Sequence, residues 1–203
     1  METVSQPGVV LASGSVTRRR ILSDAGVPFH VDIPHVGEGA LKQSCRDNGL
    51  TVEQTALELA CAKALQVSER YPETLVLGAD QILECDGIWF DKPGDYGQAK
   101  KQLMILSGKT HRLVSGVALC MNDHVMWKKT DNAFMTMRSL FEKHIEKYLY
   151  KAGDKILASV GSYQVEALGV HLFEQMEGSW FTILGLPLLP VLDVLRQHGI
   201  VDP

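Results

Sequence analysis

The chain has 203 residues and a formal net charge of −4, long enough to bury a substantial core and too acid-leaning for general electrostatic binding of a nucleic acid polymer. No apolar stretch approaches the ~20 residues of a membrane helix, and residues 1–8 lack the basic-then-apolar order of a secretory leader. Cys45, Cys61, Cys85 and Cys120 are widely spaced and form no C-x-x-C pattern, which suggests neither a zinc cluster nor a disulfide framework and fits free thiols in the cytoplasm.

In chain order, the apolar run 8–12 predicts a buried strand. A helix over 15–25 follows, with Ser15 as N-cap and Gly26 as its stop. Residues 28–33 read as a short strand, and the polar, glycine-bearing stretch 34–49 reads as a loop carrying Glu38. Thr51-Val52-Glu53-Gln54 is a capping box opening a helix over 51–70, with an apolar stripe of Leu57, Ala60, Cys61, Ala64 and Leu65. Lys63 lies beside that stripe, where snorkelling is the ordinary expectation.

Strands over 74–84 and 88–90 flank the turn signal Asp86-Gly87. A helix from about Asp95 to Leu106 ends at Gly108, and strand-like runs 110–121 and 124–138 are joined by Asn122-Asp123. Ser139-Leu140-Phe141-Glu142 reads as the cap of a helix to about Tyr150, and 168–183 as a hairpin. The terminal helix, Pro187 to Gln197, is entered through Gly185-Leu186-Pro187-Leu188, a turn with proline at the first helical position. Helices interleaved with long hairpins predict an α/β fold with a mixed sheet.

Chemistry collects where strands end. Asp80 closes the apolar run Leu75–Asp80, and a carboxylate at the tip of a buried strand is costly unless a cation, metal or substrate needs it. Ser13-Gly14-Ser15 leads from the first strand into Arg18-Arg19-Arg20. Backbone N–H groups at a helix start favour an anion there, and arginines in a first turn oppose the dipole unless one is bound. Lys92 precedes Pro93 in what reads equally as a turn. The histidines show no metal-ligand spacing, and no serine sits in G-x-S-x-G.

These pieces together resemble the Maf family of nucleotide pyrophosphatases. The resemblance rests on L-A-S-G-S with Arg18 close behind, K-A at 63–64, G-A-D at 78–80 and K-P at 92–93. It continues through L-S-G-K-T-H at 106–111, S-G-V-A-L at 115–119 and G-L-P-L at 185–188, covering residues 8 to 196. It implies an elongated mixed β-sheet flanked by helices, of the inosine triphosphatase-like kind, as a single domain over 1–203 with two lobes around a central cleft. It also implies hydrolysis of a nucleoside triphosphate to the monophosphate and pyrophosphate with a divalent cation, Mg²⁺ or Mn²⁺, by a protein that can form a homodimer.

The same resemblance places the general base on Asp80, substrate contacts on Ser13, Arg18, Lys63 and Lys92, and metal ligands on Glu38 and Asp80. Where many members read S-P-R-R, this chain reads Ser15-Val16-Thr17-Arg18; it has Gln81 after the catalytic aspartate, Glu166 where the dTTP/UTP-directed members carry glutamine, and Ala158 near the place of their aspartate. Thr17, Gln81 and Glu166 therefore read as specificity positions and resemble the branch that acts on 7-methyl-GTP. The alternatives are a dTTP/UTP pyrophosphatase and a non-catalytic regulator of cell division or septum formation.

Overall fold

The computed structural model describes residues 8–202, so the reading of positions 1–7 lies outside it. Seven strands form a mixed sheet in the order β2-β1-β3-β5-β6-β7, with β4 pairing β3. They are β1 (Val9–Ala12), β2 (Phe29–Val31), β3 (Val76–Cys85), β4 (Ile88–Phe90), β5 (Thr110–Met121), β6 (His124–Met137) and β7 (Phe173–Glu177). The helices are α1 (Val16–Asp24), α2 (Glu38–Asp47), α3 (Val52–Ser68), α4 (Tyr96–Leu106), α5 (Glu142–Ala152), α6 (Trp180–Ile183) and α7 (Leu188–Gln197). Among the described residues no helix is long and apolar enough to cross a membrane.

The chain divides into two compact units. The first takes the described residues up to Gln81, Ser115–Asp131 and those from Trp180 onward; the second takes Ile82–Val114 and Asn132–Ser179. Residues of β3, β5 and β6 fall in both.

In the first unit β1 runs parallel to both β2 and β3, which explains its unbroken apolar sequence. Val9 and Leu11 join a core with Leu22, Leu77, Ala79, Leu119, Leu186 and Leu195. Val10 and Ala12 pack instead with Ala64, Val67, Val76 and Cys120. Helix α3 lies unusually close to the strands because two glycines permit it. A Cβ on Gly78 would overlap the carbonyl of Ala60, and one on Gly116 the carbonyl of Ala56.

The second unit holds the β3–β4 hairpin, whose turn residues Asp86 and Gly87 both have positive φ (52° and 80°), as a tight two-residue turn requires. Strand β7 pairs antiparallel with β6, Met135 opposite Met176. Between α5 and β7 the chain forms three short 3₁₀ turns.

Several elements differ from the sequence expectation. Residues 38–47 are helix, not loop: Cys45 buries one face, and Glu38 in the first turn complements the dipole, outweighing the flanking glycines. The buried face of α3 runs through Ala56, Leu59, Ala60, Lys63, Ala64 and Val67, leaving Leu57 and Leu65 half-buried. Ser139 does not cap α5. Phe141 is the N-cap, while Ser107 Oγ accepts the Leu140 N–H at 2.7 Å. No hairpin occupies 168–183, because β7 finds its partner in β6 and the flanking residues coil into a 3₁₀ turn and α6. Helix α7 starts at Leu188, with Pro187 as its N-cap.

Candidate active site

The site in the first unit follows from the close approach of α3 to β3. Strand β3 carries Asp80 two residues beyond Gly78, and α3 carries Lys63 three residues beyond Ala60, the residue whose carbonyl Gly78 admits. Lys63 Nζ therefore reaches Asp80 Oδ1 at 2.5 Å and Glu38 Oε1 at 2.9 Å. The Lys63 and Asp80 side chains are 7% and 11% exposed and that of Glu38 53%, so the ammonium bridges a buried carboxylate and a half-exposed one. The expectation that Lys63 snorkels is overturned. A buried ammonium costs several kcal/mol unless paired, and here two acids face it.

Arg18 lies beside this bridge and is fixed by the chain itself. Its Nε donates to the Gly185 carbonyl at 2.8 Å, and its Nη1 donates to the Ala79 carbonyl at 2.9 Å and to Ser13 Oγ at 3.3 Å. One guanidinium thus ties together the loop after β1, the residue before Asp80 and the turn before α7. Burial lowers the Arg18 pKa, and the charges of Asp80 and Glu38 oppose that shift. Its Nη2 group keeps two N–H donors outside these bonds. Ser13 Oγ also accepts the Ser15 N–H at 3.2 Å, and Ser15 Oγ accepts the Arg18 N–H at 3.2 Å, the predicted N-cap. Thr17, on the first turn of α1, is half-buried.

Gln81 points into the same unit. Its Nε2 donates to the carbonyls of Thr182 at 2.9 Å and Ile183 at 3.3 Å and to Ser115 Oγ at 3.1 Å. Ser115 in turn donates to the Thr182 carbonyl, and Thr182 Oγ1 donates to Asp131 Oδ2 at 2.5 Å. With its amide nitrogen so committed, Gln81 has its Oε1 left for a ligand. Ser115, Asp131, Thr182 and the Gly185 carbonyl are participants that sequence reasoning missed. The one local signal was Gly185, whose φ of 91° marks a backbone turn that presents its carbonyl.

The first unit therefore assembles Ser13, Thr17, Arg18, Glu38, Lys63, Asp80 and Gln81. Lys92 and Glu166 belong to the second unit. Lys92 is exposed just after β4, and Glu166 is half-buried between 3₁₀ turns, where its charge helps raise the Tyr148 pKa, an increase dominated by burial.

Glu38 and Asp80 already converge on one cation, the Lys63 ammonium. Two carboxylates completed by phosphate oxygens and water suit Mg²⁺ or Mn²⁺ bound together with a nucleotide. Among the described residues no cluster of three or more acidic, histidine or cysteine side chains forms a closed cage. The donor set fits a cation shared with substrate and does not fit a structural metal.

The family model described as Maf-like protein matches residues 8–198. A nucleoside triphosphate pyrophosphatase of Paramagnetospirillum magneticum is 46% identical over 194 residues, covering 96% of this chain and all of the relative. A 7-methyl-GTP pyrophosphatase of Mesorhizobium japonicum is also 46% identical over 194 residues, 96% of this chain and 98% of the relative. A dITP/XTP pyrophosphatase structure from Mycobacterium abscessus aligns over 65% of this chain and 74% of its own at 16% identity and a TM-score of 0.39, which adds nothing to the fold read from the sheet itself.

Proposed function

The chain belongs to the Maf family, and from that premise we propose that it hydrolyses a nucleoside triphosphate between the α and β phosphates, releasing a monophosphate and pyrophosphate. The observation that carries this reading is the buried Lys63 ammonium held between Asp80 and Glu38, with Arg18 pinned alongside. A pure docking surface has no use for such a buried ion bridge, which disfavours the regulator.

Phosphoryl chemistry depends mainly on positioning and charge neutralisation. Asp80, facing the Lys63 ammonium, is the group placed to take a proton from the attacking water. The water oxygen bonds to the α-phosphorus, the bridging α–β oxygen leaves with its electron pair on pyrophosphate, and the proton stays on an Asp80 oxygen. Lys63 spends two N–H donors on Asp80 and Glu38 and has a third for a phosphate oxygen. Arg18 Nη2 offers two more donors, and Ser13 holds the guanidinium in place. Lys92 is proposed as a further phosphate contact. A Mg²⁺ or Mn²⁺ ion held by Glu38 and Asp80 supplies neutralisation of the phosphate charge and polarisation of the α-phosphate when bound.

For the base, Glu166 supports a guanine-type nucleotide. An ionised carboxylate only accepts, matching the adjacent N1–H and N2–H₂ donors of guanine, which N7 methylation makes more acidic. Such a pair is worth ~1–3 kcal/mol of discrimination. 7-Methyl-GTP is the proposed substrate, with Thr17 and Gln81 shaping the rest of the selection, and dTTP or UTP the runner-up. The four buried free thiols support a reducing, cytoplasmic setting, and a homodimer is part of the same proposal, to be read by sedimentation.

The test is a nucleotide panel with pyrophosphate detected. Cation-dependent release is expected from the unmodified protein, with a loss of ~10²–10⁴-fold in a folded Asp80→Asn variant; near-normal turnover by that variant ends the assignment. A faster reaction with 7-methyl-GTP than with dTTP or UTP, narrowed by Glu166→Gln, supports the base reading. A clear dTTP or UTP preference in the unmodified protein removes it.

A further inference from the structure

Glu38 is the half-exposed member of the site, in the first turn of a helix whose N-cap, Gly37, makes no side-chain bond and whose one fully buried residue is Cys45. Its carboxylate is nevertheless held over Lys63. The stretch from Asp32 to Gly37, which leads from β2 into α2, is clamped at two points, to α3 at Gln66 and to the turn just after α3 at Arg70. The Gln66 side-chain amide behaves as a neighbouring strand would: Oε1 accepts the His35 N–H at 2.6 Å and Nε2 donates to the His35 carbonyl at 3.3 Å. One turn further along, Arg70 Nε donates to Asp32 Oδ2 at 2.8 Å and Nη1 to the Gln66 carbonyl at 3.3 Å.

We propose that Gln66 is a positioning residue for the reaction, gripping the His35 backbone so that Glu38 enters α2 with its carboxylate against Lys63. The inference rests on Glu38 acting at the site as described above. Gln66 stands three residues after Lys63, so both project from one face of the same helix. The spacing between the clamp and the ammonium is therefore set by rigid helix geometry. From His35 to Glu38 the chain has three residues, at most ~10 Å of reach, and the Glu38 N–H closes on the Val36 carbonyl at 2.8 Å, which removes slack. Both contacts are exposed, but Gln66 makes two bonds to one backbone unit, whereas Arg70–Asp32 is a single exposed ion pair of the kind that adds little on its own.

The test compares the unmodified protein, Gln66→Met, Glu38→Gln and the double variant. Methionine keeps side-chain length and helix preference while removing both amide bonds. The readouts are kcat and KM for pyrophosphate release at one fixed Mg²⁺ concentration, thermal melting, and hydrogen exchange of the amides of residues 32–38.

Gln66→Met is expected to lower kcat about 10-fold, the scale of losing a support behind a ligating group. The loss should fall on kcat at saturating nucleotide; any rise in KM accompanies that loss and does not replace it, because the cation that Glu38 would hold binds together with the nucleotide. Exchange at residues 35–38 should quicken, and in the Glu38→Gln background the second change should cost nothing further. Gln66→Ala must give the same pattern. Unchanged kcat in Gln66→Met, losses that add in the double variant, or a loss confined to KM overturns the clamp. A loss in Glu38→Gln with none in Gln66→Met sinks the clamp alone, whereas normal turnover by Glu38→Gln removes the role of Glu38 and the clamp with it.

Discussion

Lys63 has no charged neighbour nearby in sequence to explain it; its partners lie 25 residues before it and 17 after it, at Glu38 and Asp80. Its energetic weight is therefore carried by tertiary contacts. Replacing it by methionine leaves the buried Asp80 carboxylate without its cation and next to a second acid. Breaking a buried pair in this way costs about 3 kcal/mol or more, most of it on the Asp80 side because Glu38 is half in solvent. Lys63→Met should therefore unfold at lower urea concentration than the unmodified protein and release little pyrophosphate. A Lys63→Met, Asp80→Asn double variant should recover part of the stability and none of the activity. Equal stability of Lys63→Met and the unmodified protein would show that the bridge contributes nothing to folding.

Among the elements, α3 does most to set the site. Its start is local: the Thr51 N–H reaches Gln54 Oε1 at 2.8 Å, and the Gln54 N–H reaches Thr51 Oγ1 at 3.2 Å, the reciprocal cap its sequence announces. Its depth is not local, because Gly78 and Gly116 admit its backbone to the sheet. In Gly78→Ala the new methyl meets a carbonyl and a neighbouring helix residue, neither of which can swing aside. Overpacking of this kind costs about 1–3 kcal/mol, and it also moves Lys63 away from Asp80. The expected result is a lower urea midpoint together with a fall in kcat. A Thr51→Ala variant, which should lose about 1 kcal/mol, serves as the control: similar destabilisation with kcat intact. If Gly78→Ala and Thr51→Ala reduce kcat equally, the close approach has no special bearing on the site.

For the molecule as a whole, the pH dependence of stability has a definite source in the second unit. His111 is buried, its Nε2 lies 2.7 Å from Tyr163 Oη, and its Nδ1 has no hydrogen-bond partner among the described residues. Burial pushes its pKa down from 6.5 to about 4. Between those values the unfolded chain takes up a proton that the folded chain refuses. Stability is therefore complete above pH 6.5, falls as the pH drops towards about 4, and flattens below. The full span is of the order of 3 kcal/mol at 1.36 kcal/mol per pKa unit. His111→Phe keeps the ring contacts with Tyr163 and Phe173 and should flatten this part of the profile, whatever its effect on absolute stability. Urea unfolding at pH 4.5 and 7.5 checks it; an unchanged difference between the two pH values in His111→Phe would assign the slope to other groups.

The sequence by itself determined the elements whose causes are local: β1 from its apolar run, α1 from Ser15 and Gly26, α3 from its capping box, and both hairpin turns at Asp86-Gly87 and Asn122-Asp123. It also marked Asp80, since a carboxylate within a buried apolar run is a local anomaly that calls for a partner, although Asp80 lies in the middle of β3 and not, as the sequence suggested, at the strand's end. Tertiary structure decided the rest. Residues 38–47 became a helix through packing of Cys45 although Gly39 in its first turn does not favour one, and β7 paired with β6 instead of folding back as a hairpin, a choice made by a strand distant in sequence. Lys63 was drawn inward because two acids from other elements met it there, and Arg18 was fixed by carbonyls at positions 79 and 185 that carry no side-chain signature. Backbone carbonyls look alike in every sequence; which of them face a guanidinium is settled only when the chain has folded.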